Sequence, residues 1–277
     1  MSRQQPDVTF DNVPTIKLIL EYDGTAYAGW QRQPDQPTIQ ETIETAIEGV
    51  TQTHVPVIGA GRTDAGVHAI GQTVSFRIDR AMTPYEWTRA LNAHLPDTVV
   101  VRSAAIMPDE FHARHSAKGK LYEYRLLNRG ERPAVDRQYC WHIHKPLDDV
   151  SMNRAAAALT GSHDFSSFQT QPTDNDDPIC HLQHLTVVRE GDRLRIEAYA
   201  DRFLKQMVRS IVGTLVEVGQ GKRPPDSLTT ILNAHDRSAA GKTAPPQGLF
   251  LIRVDYEYAG GGVPVKNCPP EPHHRGC

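Results

Sequence analysis

The amino-acid sequence predicts an α+β (α/β) protein with two ferredoxin-like halves. Apolar residues alternate with polar ones in several short segments that end at Gly, Pro or Asp turns, which is typical of strands. Other segments carry apolar residues at helical spacing behind capping motifs. In both halves these elements follow the order β-α-β-β-α-β, the ferredoxin-like (RRM-like) arrangement. Two such halves pack most economically into one extended, mainly antiparallel sheet, with helices on one face and a central cleft between the halves.

The first half covers residues 15–110 and contains two predicted helices. Thr38 opens one helix, because Glu41 follows three residues later and provides the partner of a capping box. Thr83 opens the other, with Pro84 at the first helical position. Four predicted strands accompany the helices, at residues 15–22, 55–59, 69–78 and 98–107.

The second half covers residues 111–258. Its longest predicted helix, at residues 203–219, carries an apolar stripe that begins at Phe203. Residues 1–14 form an N-terminal extension, and the glycine- and proline-rich tail at 259–277 is predicted to be disordered. The other predicted elements of this half are helices at 149–160 and after 225, and strands at 119–128, 139–144, 183–190, 193–200 and 249–258.

The composition is that of an ordinary globular protein. Of the 277 residues, 39% are hydrophobic and 23% are charged, which is close to average usage. No run of eighteen apolar residues is present, so no membrane span is predicted. The first residues also lack the apolar core of a secretory signal. We therefore expect a cytoplasmic protein that is not bound to a membrane.

The cysteines and histidines do not predict a metal site or a disulfide framework. The four cysteines include no CxxC pair, and a chain of this length rarely depends on disulfides. The thirteen histidines are scattered without the spacing of zinc ligands. We expect no metal.

The charged residues are unevenly distributed. The net charge is −3, yet residues 111–145 carry eight Lys or Arg against three acids. A basic face on a mildly acidic protein suits the binding of a polyanion, with an affinity that depends on salt. The same charges can also serve only to solvate a surface, and composition does not decide between the two interpretations.

The most unusual segment is GAGRTDAGVHAIGQ at residues 59–72, where glycines surround a single carboxylate, Asp64. Glycines permit backbone conformations that side chains forbid, and they let a bulky ligand approach the chain. The spacing is not that of a Rossmann or P-loop phosphate site. Two interpretations stay open: an Asx-turn in a tight loop, and a site whose chemistry needs one carboxylate.

Read together with this loop, several further motifs resemble the tRNA pseudouridine synthase A family. The resemblance covers residues 15–258, and a chance match to so many ordered segments is implausible. The motifs are LEYDGTAYAGWQRQ at 20–33, LNAHLPD at 91–97, FHARHSAKGKLYEYRL at 111–126, GSHDFSSF at 161–168, FLKQMVRSIVGTLVEVGQGK at 203–222 and GLFL at 248–251.

The resemblance implies an isomerase that converts uridine to pseudouridine at positions 38, 39 and 40 in the anticodon stem-loop of tRNA. It also implies a homodimer with tRNA spanning both subunits, and an active-site cleft between the halves. The reaction involves no redox change, so no cofactor is expected. Asp64 matches the essential aspartate, which acts either as a nucleophile at C1′ or as the base that removes the C2′ proton. The sequence leaves both roles open.

Three further residues match family residues that act close to this aspartate. Arg209 matches the arginine that pairs with it, and Tyr122 matches the tyrosine that packs against the target base. Arg62 matches the arginine that enters the RNA stem and helps to displace the target nucleotide. The structural alternatives are a surface position on an amphipathic helix for Arg209, sheet core for Tyr122 and a simple phosphate contact for Arg62.

The other candidate substrate-binding residues rest on weaker motifs. Trp30 and Arg32 belong to a loop that is expected to face RNA, although a tryptophan there can also be a structural anchor. His112 and Arg114 are candidates for phosphate contacts. Leu249 either covers the base pocket or belongs to the core of a strand.

Two other functions share some of these features. A non-catalytic RNA-binding protein with two RRM-like halves has the same basic stretch, but it has no need of Asp64 and Arg209 together. A carboxylate hydrolase that uses Asp64 and His68 usually needs a second acid at a defined separation, and the sequence provides none.

Overall fold

The structure is a computed structural model that describes residues 13–172 and 177–257. The tail at 259–277 and nearly all of the N-terminal extension lie outside the described residues. The described strands are β1 Thr15–Tyr22, β2 Ile58–Gly59, β3 His68–Arg77, β4 Val99–Met107, β5 Ala117–Asn128, β6 Trp141–Ile143, β7 Gly161–Asp164, β8 Ile179–Glu190, β9 Arg193–Ala200 and β10 Leu249–Tyr256. The described helices are α1 Ile39–Thr51, α2 Pro84–Asn92, α3 Asp149–Ala157, α4 Met207–Gly219 and α5 Ser227–Ala234.

All of these strands belong to one mainly antiparallel sheet. Its order is β4-β1-β3-β10-β5-β9-β8-β7, with β2 added on β3 and β6 added on β5. Only the pairs β3–β10 and β5–β6 are parallel among the described strands. The order β4-β1-β3-β2 in the first half recurs as β10-β5-β9-β8 in the second. The predicted fold class is therefore confirmed.

Strand β10 joins the two halves of the sheet. Leu251 pairs with Ala69 of β3 on one side and with Tyr122 of β5 on the other. Because β3 follows directly on the glycine-rich loop, this pairing brings that loop beside β5. The junction of the halves thus brings the loop that carries Asp64 close to the strand that carries Tyr122.

One apolar face of the sheet forms the core with the helices. Leu18 and Val74 lie opposite each other in β1 and β3, and both are fully buried. On the same face, Phe76 meets the ring of Trp87 from α2 edge-on, at 5.4 Å between centroids. The buried cluster continues across β10 into the second half. Each large apolar side chain buried in this way contributes about 1.5–3 kcal/mol.

The strand predicted at residues 55–59 is shorter than expected, because only its last two residues pair with β3. Pro56 has no N–H to donate to a ladder. The N–H of Val57 bonds instead to Glu44 Oε1 on α1, at 3.1 Å. The side chains of residues 55–59 alternate between buried and more exposed positions, which gives the pattern of a strand although most of these residues are unpaired.

The helix predicted at residues 203–219 begins four residues later, at Met207. Gln206 has a φ of 59°, in the left-handed region, and a helix cannot continue through that conformation. Phe203 consequently lies in the irregular segment before α4. Helix α3 also ends earlier than predicted, at Ala157.

Two differences concern strands at the far edge of the second half. Strand β8 begins at Ile179 rather than at residue 183, and β7 was not predicted at all. The β7 sequence is GSHD, whose residues have little preference for strands. Pairing with β8 holds this segment in the sheet. No helix in the described ranges is long and apolar enough to cross a membrane.

Candidate active site

Asp64 lies on the loop between β2 and β3, which hydrogen bonds from three sides hold in place. The Thr63 hydroxyl bonds to the hydroxyl of Tyr22 on β1, at 2.8 Å. Gln72 of β3 donates from Nε2 to the carbonyl oxygen of Gly61, at 2.7 Å. The N–H of Trp30 donates to the carbonyl oxygen of Thr63, at 3.0 Å. The carboxylate is therefore carried by a fixed loop.

Arg209 reaches Asp64 from the second half of the chain. Its Nη1 donates to Asp64 Oδ2 at 2.7 Å, and its Nε donates to the carbonyl oxygen of Ala244 at 2.8 Å. The arginine side chain is only 11% exposed, whereas that of Asp64 is 30% exposed. Two bonds thus fix the guanidinium while one edge of the carboxylate stays open to a ligand. Solvent screens such a partly buried pair less than a surface pair.

A short segment of chain braces α4 behind Arg209. The N–H of Ala244 donates to the carbonyl oxygen of Arg209, at 3.0 Å. This close approach requires Gly213, because a Cβ at that position would overlap the carbonyl oxygen of Lys242. The segment thereby holds both the backbone and the side chain of the arginine.

Tyr122 forms the third part of the site, on β5. Its ring is buried and meets Phe203 edge-on, at 5.0 Å between centroids. Its hydroxyl lies 3.8 Å from the point where a Cβ on Gly61 would stand, so the ring borders the glycine-rich loop. Burial raises the pKa of the Tyr122 hydroxyl well above its usual range, and the charge of Asp64 adds to the effect. The phenol is therefore neutral at neutral pH, and it offers a flat apolar surface beside the carboxylate.

Comparisons with known proteins show the family of this chain. A family model described as tRNA pseudouridine synthase matches residues 18–116 and 155–257. The chain belongs to this family. A tRNA pseudouridine synthase A of Allorhizobium ampelinum is 42% identical over 255 residues, which cover 91% of this chain and 98% of the relative. Proteins of the same name from Thermoanaerobacter sp. (strain X514) and Rhodospirillum rubrum are 45% and 44% identical, each over 87% of this chain and over 99% and 87% of the relative.

The family resemblance assigned RNA-facing roles to Trp30, Arg32 and Arg62, and the structure separates these residues. Trp30 is 3% exposed and packs against Gly59. This placement favours the structural anchor, which was the alternative left open for this tryptophan. Arg32 is half exposed and pairs with Glu41 and Glu44 of α1, at 3.3 and 3.6 Å. Arg62 is exposed on the loop that carries Asp64, two residues before it.

The candidate substrate-binding residues of the second half also lie in different surroundings. His112 holds its own turn, since its Nδ1 accepts the N–H groups of Arg114 and His115 at 3.2 and 3.1 Å. Arg114 is exposed. Leu249 is buried opposite Tyr124, two pairs along the strand from Tyr122. The neighbour of Tyr122 in the ladder is Leu251, which is fully buried.

A carboxylate hydrolase would need His68 to act together with Asp64, but the imidazole of His68 is bonded elsewhere. Its Nδ1 accepts the N–H of Gly24 at 3.1 Å, and its Nε2 lies 3.2 Å from the carbonyl oxygen of Gln138. The imidazole stacks on Phe250 at 4.7 Å. Burial lowers the pKa of His68, although the charge of Asp23 opposes this shift. The imidazole thus links parts of the backbone, and the structure does not support the hydrolase alternative.

Several residues of the site were missed from the sequence. Phe203 was assigned to a helical stripe, and Ala244 lies in a segment without any recognisable motif. Thr63 and Gln72 support the loop through single hydrogen bonds, which no periodicity reveals. One signal was available for Lys120, since a residue two positions before Tyr122 shares its face of the strand. Within the described residues, no group of three or more His, Cys, Asp or Glu side chains is placed to hold a metal ion.

Proposed function

We propose that this chain converts uridine to pseudouridine at positions 38, 39 and 40 in the anticodon stem-loop of tRNA. The observation that carries the proposal is the ion pair between Asp64 and Arg209 beside the buried ring of Tyr122. The reaction exchanges the C1′–N1 bond for a C1′–C5 bond, and the proton on C5 is replaced by one on N1. No electron is gained or lost, so no cofactor is proposed.

The main chemical requirement is one ionised carboxylate beside the ribose. Asp64 either attacks C1′ or removes the C2′ proton, and both roles need the carboxylate without its proton. Arg209 stabilises that negative charge, and its bond to Ala244 keeps the guanidinium from following the substrate. Since Asp64 Oδ2 accepts from Arg209, the other carboxylate oxygen, Oδ1, is the one proposed to face the sugar.

The target base has to leave the stack before Asp64 can reach its sugar. Unstacking costs a few kcal/mol, and stacking on an aromatic ring contributes about 1–3 kcal/mol per base. We assign the receiving ring to Tyr122. Arg62, which is exposed on the same loop as Asp64, is assigned to the RNA stem. Arg114 is assigned to the phosphate backbone.

The assembly proposed for this activity is a homodimer in the cytoplasm, with one tRNA spanning both subunits. In such a dimer the basic stretch at 111–145 of one chain can grip the stem while the other chain supplies Asp64. We also propose the division of the chain into halves at residues 110 and 111, which lie between β4 and β5.

The test is to incubate the protein with unmodified tRNA transcripts and to locate pseudouridine by chemical labelling. Pseudouridine is expected only at positions 38, 39 and 40, and a transcript with cytidine at those positions serves as the control. Tight binding of the transcripts without any pseudouridine would instead identify a non-catalytic RNA-binding protein. Pseudouridine at other positions would contradict the proposed target.

A further inference from the structure

Lys120 places a positive charge next to the glycine-rich loop. It lies on β5, two residues before Tyr122 and on the same face. Its Cε is 3.4 Å from the point where a Cβ on Gly61 would stand, and the hydroxyl of Tyr122 is 3.8 Å from that same point. The lysine stem and the tyrosine ring therefore border the loop of Asp64 side by side.

The ammonium group of Lys120 has no hydrogen bond and no ion pair among the described residues, although the side chain is partly buried. Burial lowers its pKa, and the charges of Arg114 and Arg202 lower it further. The carboxylate of Asp201 acts in the opposite direction, as does Cys180. An ammonium group that is partly desolvated and close to two guanidinium groups is costly without an anion.

The neighbouring charges are themselves partly engaged. Arg202 donates from Nη1 to Asp177 Oδ2 at 2.6 Å, and its N–H bonds to Asp201 Oδ1 at 2.7 Å. Asp201 also accepts the N–H of His181, at 2.9 Å. Both backbone donors thus bond to the same oxygen of Asp201, Oδ1. Arg114 is exposed, and its side chain has no partner among the residues that the structure describes.

We propose that Lys120, together with Arg114, forms a subsite for a phosphate of the RNA strand that carries the target nucleotide. The inference rests on the proposed function, which assigns the base to Tyr122 and the ribose to Asp64. A phosphodiester group is attached on each side of that ribose. Lys120 lies two residues before Tyr122 and borders the loop that carries Asp64. A phosphate accepts several charge-assisted hydrogen bonds, and it would offset the cost of holding this ammonium without a partner.

The first experiment compares Lys120→Met with Lys120→Arg. Methionine keeps most of the stem and removes the charge, whereas arginine keeps the charge. Affinity for tRNA is measured at several salt concentrations in a chain that also carries Asp64→Asn, so that no turnover occurs. We expect Lys120→Met to bind about fivefold to tenfold more weakly and to reduce the slope of log affinity against log salt by about 0.7–0.9, the loss of one phosphate contact. Lys120→Arg should retain both values.

The matched control is Lys222→Met. Lys222 is an exposed lysine beyond the opposite end of α4 from Arg209, and we expect no change in the salt slope. Urea unfolding shows whether each variant is folded. If folded Lys120→Met binds tRNA with the affinity and slope of the parent protein, the subsite is disproved.

A second experiment identifies the ligand group. A neutral methylphosphonate replaces the phosphate on one or the other side of the target nucleotide in an anticodon stem-loop. We expect one of the two replacements to weaken binding by the parent chain and to have no further effect on Lys120→Met. Additive losses at both positions would contradict the contact. If pseudouridine never forms but the salt slope still depends on Lys120, the proposed function fails and the phosphate subsite stands. If pseudouridine forms and the slope is unchanged, only the subsite fails.

Discussion

Arg209 Nη1 lies 2.7 Å from Asp64 Oδ2, although 145 positions separate the two residues in the sequence. One partner comes from the loop before β3 and the other from the first turn of α4. The pair can form only when β10 has joined the two halves of the sheet. The integrity of the site therefore depends on the packing of the whole chain as well as on the two side chains.

Replacing Asp64 by asparagine should abolish pseudouridine formation, with a loss of at least about 10²–10⁴-fold. The side chain keeps its shape but loses the charge that either mechanism needs. Affinity for tRNA should persist, because phosphate contacts dominate RNA binding. Single-turnover assays and filter binding measure the two quantities. Asp192→Asn, at an exposed turn, is the control and should retain the parent rate.

Substitutions at Arg209 should separate the contribution of its positive charge to the rate from the contribution of its two-bond geometry. Arg209→Ala should lower the rate by about 10²-fold or more, because the carboxylate loses its counter-ion. Arg209→Lys keeps the charge but cannot bond to both Asp64 and Ala244, so an intermediate rate is expected. Arg154→Ala removes an exposed pair with Asp226 and should leave the rate unchanged. An unaffected rate in Arg209→Ala would remove this residue from the proposed mechanism.

Gly213→Ala should reduce activity although Gly213 is not one of the residues assigned to the substrate. The added methyl group would push the segment at residues 241–245 away from α4, and Arg209 would lose its support from Ala244. We expect a lower free energy of unfolding, measured in urea, and a lower single-turnover rate. Gly130→Ala is the control, because no atom of the described residues lies within 4 Å of a Cβ at that position. Parent-like activity and stability in Gly213→Ala would contradict this account.

The buried imidazole of His68 should make the protein less stable in mild acid. Its pKa is lowered by burial, so on acidification the unfolded chain takes up the proton near pH 6.5 before the folded protein does. Asp23 and Arg125 act on this ring in opposite directions. The urea midpoint should therefore fall between pH 7.5 and 5.5, and it should fall less in His68→Gln. His54→Gln, at an exposed position, should show the same decline as the parent protein.

Trp87 provides a test of the core. Its ring is fully buried against Phe76, so Trp87→Ala should cost about 3–5 kcal/mol of unfolding free energy. Trp87→Phe should cost less than half of that, because it also removes an indole N–H that has no partner among the described residues. Tyr85→Ala, on the exposed side of the same helix, should change the free energy by at most about 0.5 kcal/mol. Equal losses for the alanine and phenylalanine variants would mean that the indole N–H is bonded in the folded protein, and that losing this bond is the main cost of both changes.

Much of the fold could be predicted because periodicity and caps act locally. The capping box at Thr83 and Glu86 is present with both of its hydrogen bonds, whereas at α1 the Thr38 side chain accepts the bond from the Glu41 N–H. The local pattern did not predict an element correctly where contacts with another part of the chain, or the conformation of a single residue, determine the structure. Gln206 adopts a left-handed conformation that stops α4 short of Phe203, and the edge strand β7 depends on β8.

The motifs predicted the family, which the family model confirms. They also nominated Asp64 and Arg209, which the structure places in contact. The roles of these residues in the reaction stay predictions. Trp30 shows what a motif leaves open, because the motif does not indicate whether the side chain faces solvent or the core. The sequence placed Lys120 on the face of Tyr122, and the structure adds its closeness to Gly61.

The position of β10 has a consequence for synthesis of the protein on the ribosome. The edge of β3 that β10 covers stays open until nearly all of the described chain has been translated. An open strand edge is a template for pairing with other chains. We therefore expect nascent chains that stop before residue 249 to be inactive and to aggregate. A new molecule becomes competent only after β10 has docked.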